Sequence, residues 1–61
     1  MDIKIEELIV QDIQRELETV KSDLDQEWLV AAHYHLQTTK SFCNNLIGRL
    51  DEKIEELEKR G

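Results

Sequence analysis

The residues best able to do chemistry are few. His33-Tyr34-His35 is the one cluster with metal-ligand character. On a helix, residues two apart point about 200° apart, so the two imidazoles cannot close on one ion within a chain. No Asp, Glu or Cys stands three or four residues from either histidine, and Cys43 lies two turns beyond His35. A zinc site needs convergent ligands. The spacing therefore predicts no metal site, with His35 packed near Phe42 against a hydrogen-bond partner and His33 at an edge. The functional alternative to that packed reading is a pH-sensitive interface. Cys43 reads as a small buried apolar residue.

Carboxylates are the second candidate. Glu6, Glu7, Asp12, Glu16 and Glu18 are close enough in sequence to suggest paired acid–base work. Catalysis needs a concave, water-excluding site, and no pocket-forming loop surrounds these residues, so a solvated helix face is expected. Glu6 stands apart, at a core position of the heptad that begins at Ile3. It is expected either beyond the end of the packed region or paired with Arg49 or Lys53. No Ser-His-Asp arrangement, glycine-rich phosphate loop or nucleotide fingerprint occurs. The reading is of a non-enzyme with no catalytic, cofactor-binding or metal residues.

These side chains must be carried on helices. The chain has no proline, and Glu, Leu, Lys, Gln and Ala, all good helix formers, are frequent. Ile3, Val10, Leu17 and Leu24 repeat at seven residues, and Ile13 and Val20 supply the alternate positions. This a/d pattern predicts a first helix over about 2–21. Ile5 and Ile9 widen its apolar face, and Leu8 projects away from it. Lys21 suits a helix end, and Asp23, Asp25 and Glu27 suit the start of another. Ser22 and Asp25 have capping-box spacing, so a turn is expected at about 22–25. A second helix over about 25–59 follows, with Leu29, Leu36, Cys43, Leu50 and Leu57 again at sevens. Breaks are conceivable at Thr38–Ser41, where β-branched and hydroxyl side chains weaken a helix, and near Gly48. An unbroken second helix would overhang the first by roughly 20 Å.

Size and charge narrow the role. At 61 residues the chain is a single domain, 1–61. A chain this short buries only about 60% of its unfolded surface, so it is marginal alone. One cysteine offers no internal disulfide. The net charge is −6, and residues 1–27 alone carry nine carboxylates against three bases. That balance disfavours nucleic acid and anionic membrane as partners. The start lacks the basic region and long apolar run of a signal peptide, and His33, His35, Gln37, Lys40, Asn44 and Asn45 interrupt the charge-poor stretch 28–48. A cytoplasmic protein is expected.

The same stretch drives the fold prediction. From Trp28 to Gly48 only Lys40 is charged. A helix exposed to water normally carries charge on its back. The expectation is an all-α antiparallel hairpin with unequal arms that dimerises into a four-helix bundle, a tetramer being the next possibility. Leu17, Leu24, Leu29, Leu36, Phe42, Cys43, Leu46 and Leu50 are the self-association candidates. Ile5, Leu8, Ile54 and Leu57 are the candidates for contact with another protein. In architecture alone, such a hairpin resembles the Rop family of small helical RNA-binding regulators. That resemblance implies an alternative role as an RNA-binding bundle; an acidic nucleic-acid mimic is the other nucleic-acid-related reading. The leading expectation is a small homo-oligomeric adaptor or regulator acting through protein–protein contact.

Overall fold

The computed structural model describes residues 2–60 and consists of two helices, α1 (Lys4–Asp25) and α2 (Leu29–Arg60), packed as an antiparallel hairpin. The Asp2 carboxylate accepts the backbone N–H of Lys4 at 3.0 Å and so satisfies one open donor at the start of α1. Glu6 and Glu7 occupy the first turn of α1, and Lys59 and Arg60 the last turn of α2. Both placements complement the helix dipole.

The turn lies at 26–28, later than expected, and α1 runs on through Asp25. The backbone explains the shift. Trp28 N–H donates to the Asp23 carbonyl at 2.8 Å, and Glu27 N–H to the Leu24 carbonyl at 3.1 Å. Glu27 sits between them in the left-handed region, with φ 59°. This is a Schellman closure, which glycine usually provides. Ser22 opens no second helix: its hydroxyl accepts from Gln26 Nε2 at 3.1 Å. Asp23 and Asp25 therefore end α1 instead of starting α2.

α2 is continuous through both suspected breaks. The hydroxyls of Thr38 and Thr39 donate to the carbonyls of Tyr34 and His35, one turn back, and leave the helix intact. Gly48 remains helical with open space beside it. Lys53 Nζ reaches the Asp2 carbonyl at 3.0 Å, so α2 projects past α1 only from about residue 54. That overhang is roughly 10 Å, half the expected length.

The inner seam corrects the sequence reading most. On α1 it comprises Glu6, Ile9, Ile13, Glu16, Val20 and Asp23, all buried or half-buried. On α2 it comprises Ala32, His35, Thr39, Phe42, Leu46, Arg49 and Lys53. Both sets alternate spacings of three and four, the mark of a coiled-coil seam. The heptad of Ile3, Val10, Leu17 and Leu24, expected to be the core of α1, lies outside this seam and is exposed. Val20 and Ala32 are the buried apolar residues among those described.

Candidate functional site

The leucine repeats form one surface. Each member follows a seam residue directly: Val10 after Ile9, Leu17 after Glu16, Leu24 after Asp23, Leu36 after His35, Leu50 after Arg49. Positions so placed flank the seam on a common side in an antiparallel pair. Both helices therefore turn their heptad repeats to the same face of the hairpin. Ile3, Val10, Leu17 and Leu24 contribute from α1, and Leu29, Leu36, Cys43, Leu50 and Leu57 from α2. Exposure along this face runs from 40% at Val10 to 67% at Leu29, with Cys43 half-buried at its middle. Ile47 and Ile54, 56% and 52% exposed, extend the face along the outer edge of α2.

The opposite flank is different in kind. Asp12, Thr19, Ala31 and Thr38 are half-buried there, so the small and polar residues of the hairpin are the ones the two helices cover. A hollow lined by Asn44, Asn45, Gly48, Arg49 and Glu52 is polar and open to water. It lacks the apolar, enclosed walls of a small-molecule site.

Polar pairs fix the hairpin at both ends of the seam. Near the turn, the His35 ring donates from Nδ1 to Asp23 Oδ2 at 2.7 Å, with the Asp23 side chain 7% exposed. At the far end, Lys53 Nζ stands 3.3 Å from Glu6 Oε1, and Arg49 Nη1 4.0 Å from Glu6 Oε2. Between them, Glu16 places Oε2 out of water with no hydrogen-bond partner. A group of that kind weakens the seam.

The expected site residues divide accordingly. Leu17, Leu24, Leu29, Leu36 and Leu50 lie on the outer apolar face, with Cys43 among them. Phe42 and Leu46 instead face α1 and are half-buried in the seam. Ile54 and Leu57 sit at the end of the apolar face, whereas Ile5 and Leu8, also exposed, lie on the opposite side of the hairpin. Glu6 pairs with Arg49 and Lys53, one of its two expected placements. His35 has its hydrogen-bond partner in Asp23, which ends α1 and does not open α2 as expected. The signal for that pair was available: Asp23 and His35 occupy apolar-seam spacing on either side of the turn.

Among the described residues no group of three or more His, Cys, Asp or Glu is arranged to hold a metal ion, and no helix is long and apolar enough to cross a membrane. No protein-family model, curated protein or solved structure matches the chain.

Proposed function

We propose that the chain is a homodimeric helical adaptor or regulator, in which two hairpins bury their leucine faces against each other to make a four-helix bundle. The carrying observation is the one-sided display of both heptad repeats, with Leu24, Leu29 and Leu36 each more than half exposed. Area supports it. The chain exposes 5126 Å², against about 4,100 Å² for a compact monomer of 7.2 kDa. The excess of about 1,000 Å² matches one side of a standard protein–protein interface, about 800 Å². Exposed apolar side chains gathered on one face of a small chain mark an interaction site.

Dimerisation through this face leaves Ile5 and Leu8 outside the bundle. With Val30 and Tyr34, also exposed off the leucine face, they are apolar groups available for a further protein, which makes the dimer a two-ended adaptor. The open, polar hollow at Asn44, Gly48 and Glu52 is ill suited to a small substrate, which favours protein contact.

Sedimentation tests the proposal with two substitutions of equal chemistry. Leu36→Asp puts a charge into the leucine face and should convert the dimer to a monomer or an unfolded chain. Leu8→Asp puts the same charge on the other side and should leave the dimer mass unchanged. A wild-type chain that sediments at 7 kDa at high micromolar concentration overturns the reading, as does equal disruption by both substitutions.

A further inference from the structure

We infer that the second copy packs with its turn at the opposite end, α1 on the partner's α1 and α2 on the partner's α2, about a two-fold axis that passes beside Cys43. This inference rests on the homodimer proposed above and specifies its geometry.

A self-complementary face admits two symmetric arrangements. With the axis along the hairpin, both turns lie at one end and α1 covers the partner's α2. With the axis across the hairpin, the turns lie at opposite ends and each helix covers its own counterpart. Position of the apolar residues bears on the choice. The α2 stripe, Leu29 to Leu57 at sevens, is centred on Cys43. The α1 stripe, Ile3 to Leu24, is centred between Ile13 and Gln14. Asp23 beside His35 and Glu6 beside Arg49 and Lys53 set the register between the helices. In that register the two centres are level to within about one residue, or 1.5 Å. A single crosswise axis therefore serves both stripes. It sets Leu36 against the partner's Leu50, Val10 against the partner's Leu17, and Cys43 against the partner's Cys43.

Charge decides between the arrangements. The outer edge of the face carries Glu7 and Lys21 on α1 and His33, Lys40, Ile47 and Ile54 on α2. The crosswise axis brings Glu7 level with the partner's Lys21, twice per dimer. It also lays the Lys40 stem along the partner's Ile47, with the ammonium free to reach water. The lengthwise axis instead sets Lys21 between the partner's His33 and Lys40, and leaves Glu7 between the partner's Ile47 and Ile54. The first is complementary at Glu7 and Lys21 and leaves His33 and Lys40 beside the partner's isoleucines; the second sets lysine beside lysine and carboxylate beside hydrocarbon.

The cysteine reports the geometry directly. Facing Cα atoms on helices packed 8–10 Å apart come within about 6 Å of each other, inside disulfide range. In the lengthwise arrangement the two α2 helices are diagonal, and the thiols are beyond that range. Diamide supplies the oxidant: the two thiols lose two protons and two electrons, the S–S bond forms, and the reagent is reduced to its hydrazine. Sedimentation of the untreated chain establishes the dimer independently. The expected result is rapid conversion of the wild-type dimer to a covalent dimer with unchanged helicity and mass, and none for Cys43→Ser. A charge exchange gives a second readout without thiols. Glu7→Lys should weaken dimerisation roughly threefold or more, and Glu7→Lys with Lys21→Glu should restore it. A sedimenting dimer that resists oxidation, with the double exchange no better than the single, overturns the crosswise geometry and leaves the dimer standing. A monomer overturns both.

Discussion

Glu27 is the residue held in the least natural conformation. Its φ of 59° closes α1 with a backbone that L side chains avoid. The closure survives because Trp28 and Glu27 donate to the last open carbonyls of α1. Glycine meets the same demand without the Cβ clash. Glu27→Gly should therefore raise stability by about 0.5–1 kcal/mol, read as a higher denaturant midpoint with an unchanged slope. No sequence rule flagged this position, because glutamate is a good helix former and the turn chemistry usually announced by Gly or Asn is missing. The Asp23–His35 pair has only its seam spacing as a sequence signal, and that signal holds only once the turn is placed. Its members are twelve residues apart, and a one-turn shift of the helix end decides whether they meet.

At the scale of the element, the seam keeps Glu6, Ile13 and Val20 from the expected core positions of α1 but leaves Ile3, Val10, Leu17 and Leu24 outside. The seam that joins α1 to α2 contains Glu6, Glu16, Asp23, His35, Arg49 and Lys53, and the richer apolar repeats are outside. A seam so polar contributes little net burial, since paired buried charges about break even with desolvation. Its value lies in register: the Asp23–His35 hydrogen bond and the Glu6–Lys53 ion pair form at one alignment of the helices only, although Glu6 Oε1 and Arg49 Nε are buried without a hydrogen bond. Glu16 has no such partner for Oε2. Glu16→Leu should therefore stabilise the hairpin by about 1 kcal/mol or more, measured by chemical unfolding at fixed chain concentration. The same substitution should leave the dimer contact unaltered, because Glu16 faces the seam and its neighbour Leu17 faces outward.

Over the whole molecule, the hairpin is a slab 50 Å long and 12 Å thick with one apolar side. Two helices cannot enclose a core in so thin a body, and among the described residues no large side chain is fully buried. Two slabs face to face supply the missing layer. Folding and association should then be one event. A tenfold dilution should lower the melting temperature by about 5 °C, whereas a self-sufficient hairpin would melt independently of concentration. Differential scanning calorimetry over a hundredfold concentration range makes that distinction.

Heptad spacing determined that the chain is helical and that its leucines form continuous stripes; helix-end signals over Lys21–Glu27 announced a turn but placed it a few residues early. The heptad also allowed the pairing of Glu6 with the cations of α2, because a carboxylate at a seam position must find a partner or remain in water. Which stripe faces the other helix was a tertiary decision. Neighbouring positions on a helix differ by about 100°, so the seam and the leucine stripe are each periodic at seven and equally regular in sequence. The Glu6–Lys53 ion pair and the His35–Asp23 hydrogen bond across the hairpin broke that tie, and they form between residues that only the fold brings together.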